Sequence, residues 1–150
     1  MPSILPGHLY TFVALIAVSG ILIFTFMDYT EAVRFSSETR QLKNLVDAIS
    51  AKCTGVLTLA KTANASAEVF VDMPSSIGNK QYWLSLRNDS RHAWVEGGFG
   101  LTPTMVTELR AYIPCGVDAS GHYFASHGPA RLSCHLQGKT EAIELSGVGG

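Results

Sequence analysis

The chain changes character twice along its length, and the first change is one of polarity. From Leu9 to Met27 the sequence LYTFVALIAVSGILIFTFM carries no charge. At 1.5 Å per residue, this run of about 19 residues makes roughly 28 Å of helix, close to the hydrocarbon thickness of a bilayer. Beyond Asp28 the helical signal persists. Residues 29–63 contain no proline and, as their sole glycine, Gly55. Leu42, Val46, Ile49, Cys53, Val56 and Ala60 recur at steps of four and three, which aligns them on one stripe. Lys43, Asp47, Ser50 and Lys61 fall elsewhere, mostly toward water. The pattern predicts one helix of roughly 50 residues, apolar in front and amphipathic behind.

At Thr62-Ala-Asn-Ala-Ser66 the helical period gives way to turn signals and alternating runs, as in small β domains. Ala67–Met73 reads as a strand and Met73–Asn79 as a Pro- and Gly-shaped turn. Gln81–Arg87 alternates, with Tyr82, Leu84 and Leu86 on one face and Trp83, Ser85 and Arg87 on the other. Asn88-Asp-Ser90 reverses it into His92–Glu96. Gly97-Gly-Phe-Gly100 is expected to interrupt the sheet. Residues 104–113 fit a strand better than a short helix, and His122–Ser126 fits another strand. Arg131–Gln137, with Leu132, Cys134 and Leu136 facing inward, pairs with Thr140–Leu145 across Gly138. The tail from Ser146 to Gly150 is expected to be loose. The resulting architecture is α+β: a hydrophobic segment over 1–28, its amphipathic continuation over 29–63, and a β-rich domain of about six antiparallel strands over 64–150.

Composition then narrows the function. Charged residues make up 15% of the chain and the net charge is −1, so no basic run invites nucleic acid or anionic headgroups. The apolar run is too long for a secretory signal core, has no Lys or Arg before it and ends in Thr-Phe-Met-Asp rather than a small-residue cleavage site. It reads as a membrane anchor. Arg34, Arg40, Lys43 and Lys52 after the span favour a cytoplasmic side by the positive-inside rule, although they alternate with Asp28, Glu31, Glu38 and Asp47. Asn64-Ala-Ser66 and Asn88-Asp-Ser90 are sequons for N-linked glycans and favour an external domain. So does the cysteine content of the β region. Three cysteines allow three single pairings. Cys115–Cys134 is preferred, since it closes a loop of about 20 residues, worth roughly 3 kcal/mol. A bond from Cys53 to either one staples helix to sheet instead.

Chemistry is sparse. His122, His127, Cys134 and His135 gather near the C-terminus, but their spacing matches no paired-ligand zinc pattern. Asp72, Glu96 and Glu108 are scattered acids, no nucleophile elbow is present, and Gly97-Gly-Phe-Gly100 lacks the lysine of a phosphate loop. The expectation is a non-enzymatic protein without cofactor or metal.

The layout of a long helix, apolar then amphipathic, followed by a β domain resembles type IV pilins, and archaeal pilin-like proteins most of all. The resemblance covers nearly the whole chain and rests on layout. It implies a structural subunit at the cell surface, membrane-held before assembly, whose partner is itself. Phe12, Ala14, Leu15, Ile16, Ala17, Val18, Gly20, Ile21, Leu22, Ile23 and Phe24 then pack helix against helix in a filament core, with the β domain outside. Small residues at Ala14, Ala17, Ser19 and Gly20 suit close helix approach. The chain departs from the pilin pattern at its processing site, where Pro6 and no basic residue precedes Gly7. It departs again at Phe12, where the family carries an acid. The alternative is a single-span envelope protein with an external binding domain, like the membrane-anchored accessory subunits of the archaellum.

Overall fold

A computed structural model describes residues 5–89, 91–101, 103, 109–114, 116–137 and 140–149. Helix α1 runs without a break over Leu5–Ala63. Among the described residues seven strands follow: β1 Ala67–Val71, β2 Tyr82–Asn88, β3 Ala93–Phe99, β4 Arg110–Ile113, β5 Asp118–Phe124, β6 Ala130–Gln137 and β7 Thr140–Gly147. They form one sheet in the order β1-β6-β7-β5-β2-β3-β4, antiparallel throughout except for the parallel β5–β7 pair. The fold is α+β and the layout is pilin-like. The chain separates into two compact units, Met1–Ser37 and Glu38–Gly150.

Helix α1 ends where the polarity pattern said it should, and its last turn shows why. Asn64 adopts a left-handed conformation (φ 51°), and the Ala65 amide reaches back to the Ala60 carbonyl at 3.2 Å. That closure satisfies carbonyls that the helix end leaves open, with asparagine in the place glycine usually takes. Within the second unit, Leu42, Val46, Ile49, Cys53, Val56, Leu57 and Ala60 are all buried against the sheet. Ser50, expected to face water, is buried instead. Its hydroxyl donates to the Tyr112 carbonyl at 2.9 Å and occupies one acceptor of the β4 edge strand.

The β2–β3 hairpin pairs Tyr82 with Phe99 through Asn88 with Ala93. Asp89 shapes its reversal by accepting from the Arg91 and His92 amides, and those donors hold its carboxyl below the usual range. Gly97 and Gly98 do not interrupt the sheet; both lie inside β3. A Cβ on Gly97 would sit 2.8 Å from Leu84 and 2.9 Å from Val46 of α1, so its absence lets helix and strand approach. On the opposite face, a Cβ on Gly98 would strike the Trp83 indole, 2.7 Å from Cζ2. Trp83 lies flat in that gap and is fully buried.

Two further expectations are corrected. The strand over 122–126 begins earlier, at Asp118, and ends at Phe124 in a 3-10 turn, Ala125–His127. The tail is held rather than loose: β7 reaches Gly147, and the Val148 and Gly149 amides donate to the Pro129 and His127 carbonyls at 3.1 Å each. Of the strand expected over 104–113, residues 110–113 form β4, while 104–108 lie outside the described residues.

Candidate assembly surface and the outer face of the sheet

Among the described residues, the first unit is a helix whose apolar side chains are exposed. Phe12 is 63% exposed, Ile16 59% and Phe24 71%, and Leu15, Val18, Ile21, Leu22 and Ile23 are also exposed. Ala14 and Ala17 are exposed and Gly20 half-buried. Positions spaced around the full turn are uncovered, so the rod presents apolar surface on every side. Its two threonine hydroxyls turn inward: Thr11 donates to the Gly7 and His8 carbonyls, and Thr25 to those of Ile21 and Leu22. Back-bonding of this kind removes free donors from an apolar surface. By length and composition this helix can cross a membrane.

Asn64 is exposed at the helix end. Asn88 is exposed at the end of β2, where its amide donates to the Asp118 carboxylate at 3.0 Å. Cys134 is buried on the inward side of β6 as a free thiol, as is Cys53 on α1. The expected Cys115–Cys134 bridge is therefore not formed, and Cys115 lies outside the described residues. Burial pushes the Cys53 thiol up to about 12 and the Cys134 thiol upward too, with Glu141 adding to the latter. Neither is poised to react.

The histidines do not converge. His122 contacts Ser85, His127 stacks edge-on against Phe124, and His135 lies exposed on β6. Among the described residues no group of three or more ligand-type side chains gathers to hold a metal.

The sheet face away from α1 holds a polar cluster that spacing alone did not reveal. Strand register aligns His122 of β5, Ser85 of β2, Glu96 of β3 and Arg110 of β4 in one row. Glu96 is buried, with its side chain 1% exposed. It takes Arg87 Nε at 2.7 Å, Arg110 Nη2 at 3.5 Å and Trp94 Nε1 at 3.2 Å. The Arg110 guanidinium also lies over the Trp94 ring, 4.7 Å from its centre. At the other end Ser85 Oγ is 3.1 Å from His122 Nδ1. This row differs from a hydrolytic triad. The serine sits between imidazole and carboxylate, whereas nucleophilic catalysis needs the imidazole between them. The cluster braces β2, β3 and β4 electrostatically. Its sequence signal was the alternation Arg87–Ser85 against Trp94–Glu96, readable only once the hairpin register was known.

Compared with known proteins, the chain matches no family model, no curated protein and no solved structure.

Proposed function

We propose that this chain is a structural subunit of a pilus-like extracellular filament. It is held in the membrane by residues 9–27 before assembly, then packed through that helix against copies of itself. The observation that carries the reading is the rod's exposure on all sides, from Leu9 (63%) to Met27 (65%). One neighbouring helix covers only one face of such a rod. Full cover takes lipid or several helices at once, and a filament core supplies the second. Tyr10 and Tyr29, 76% and 69% exposed at the two ends of the uncharged run, suit the two interfaces of a bilayer while the subunit waits there. The second unit lies outside the cytoplasm, with N-linked glycans at Asn64 and Asn88, and its role is structural rather than catalytic.

Pro6-Gly7 without a preceding basic residue and Phe12 in place of an acid favour a second reading, an envelope-anchored accessory protein. Electron microscopy of material sheared from intact cells, with mass spectrometry of the filaments, separates the two. Thin filaments containing this chain support the subunit reading. They should disappear in Ile16→Arg, which places a charge costing about 3 kcal/mol at the middle of the apolar helix. A chain found only in the membrane fraction supports the anchor.

A further inference from the structure

Beside α1, within the second unit, an apolar groove of about 390 Å³ opens between the helix and the edge strand β1. It is lined by Ala51, Lys52, Gly55, Val56, Leu59 and Val69. Its floor is shallow at Gly55, where a Cβ would meet nothing within 4 Å, and Leu59 on its wall is 56% exposed. Lys52 is the one charged lining residue, and it forms no ion pair among the described residues. An apolar trough with one uncompensated cation on its rim suits an apolar helix that ends in acid.

The chain carries such a helix. Phe24, Met27, Asp28 and Glu31 stand at i, i+3, i+4 and i+7, on one face at the end of the rod. Phe24 and Met27 are 71% and 65% exposed. Asp28 and Glu31 are exposed and form no ion pair among the described residues.

We propose that the groove at Gly55 receives the Phe24–Glu31 face of a second copy, with Lys52 of the receiving copy meeting Asp28 and Glu31 of the inserted one. The inference rests on the subunit reading above and specifies one of its contacts. Apolar burial of Phe24 and Met27 supplies the attraction, and the charges fix register and partner. Gly55 allows the two helices to approach closely. Lys52 lies well beyond Asp28 on the same helix, so the contact joins copies shifted along the helix direction. It is a contact of assembly, and the groove and its occupant are different surfaces, so each copy can both give and receive.

The test is a charge exchange in the full chain, expressed in cells, with filament yield after shearing as the readout. Lys52→Glu and the pair Asp28→Lys with Glu31→Lys should each lower yield about tenfold or more, because like charges then face each other across the contact. Combining all three substitutions should restore filaments. Gly55→Phe, whose Cβ has open space around it, places a ring over the groove and should also block assembly. None of these side chains supports the fold, so thermal unfolding should match the unaltered protein. Filaments at normal yield from Lys52→Glu, or failure of the triple exchange to rescue, overturns the contact while leaving the subunit reading in place. An unaltered chain that forms no filaments overturns both.

Discussion

Replacing Glu96 by alanine should weaken the second unit more than any exposed charge change. The substitution removes the acceptor for two guanidinium groups and an indole N–H at once. Breaking a fully buried ion pair costs about 3–5 kcal/mol because the remaining charge stays desolvated. Here Arg87 and Arg110 keep 34% and 22% of their side chains exposed, so water compensates them in part, and Arg110 retains its position over Trp94. The expected loss is therefore about 2–3 kcal/mol. In a unit of this size that lowers Tm by roughly 8–12 °C. Both tryptophans of the chain, Trp83 and Trp94, lie on this face of the sheet, so their fluorescence in detergent micelles follows the region directly. Glu96→Gln keeps the shape and one acceptor and should lose about half as much. Asp47→Ala is the control: its pair with Lys43 spans 3.4 Å, both side chains are more than half exposed, and its loss should stay under about 0.5 kcal/mol. If Glu96→Ala melts within about 2 °C of the unaltered protein, the cluster is not a brace and the reasoning from burial fails.

Gly97→Ala should cost about 1–3 kcal/mol in urea unfolding, since its Cβ wedges between Leu84 and Val46 of the helix. Gly121→Ala should be worse, preventing folding outright, because its φ of +127° is strained for any other residue and its Cβ meets the Leu145 backbone across the parallel β5–β7 pair. Cys53 and Cys134 should resist Ellman's reagent at pH 8 until the protein is unfolded; rapid labelling of native protein would contradict their burial. The raised Cys53 value also has a pH signature. The folded thiol keeps its proton to about 12, whereas the unfolded one releases it near 9.0. Its contribution is thus fully present below pH 9 and is lost as pH rises from 9 to 12, and burial of Tyr82 and Tyr123 acts in the same direction.

The parts legible in the sequence were those with a local cause. The helix and its buried stripe follow from spacing that no tertiary contact needs to explain, and Leu42 through Ala60 pack as their period demands. The hairpins β2–β3 and β6–β7 follow from alternation across short turns. What failed depended on distant neighbours. Gly97-Gly98 resembles a break because glycine usually weakens strands, and only the sight of Val46 and Trp83 pressing on the two faces explains why a strand needs glycine there. Ser50 resembles a water-facing residue until the β4 edge supplies a carbonyl for it. The parallel β5–β7 pair joins strands separated by β6, an order no local signal encodes. Cys134 drew a disulfide by arithmetic, yet its place in the core explains it as a small buried hydrophobe.

The same division bears on where function resides. The second unit buries the stripe from Leu42 to Ala60, clamps its buried glutamate and ties down its tail. In the first unit the large apolar side chains from Leu9 to Met27 are exposed. Selection for stability alone would not keep such a surface, which makes a chain prone to associate. In the proposed subunit, lipid and then other copies cover it. Among the described residues Asp28 and Glu31 at its end, and Lys52 beside the apolar groove, form no ion pair, and the proposed contact between copies would bring them together. A bilayer can solvate the rod, but it offers Lys52 no specific carboxylate and the groove at Gly55 no aromatic ring. A second copy offers both.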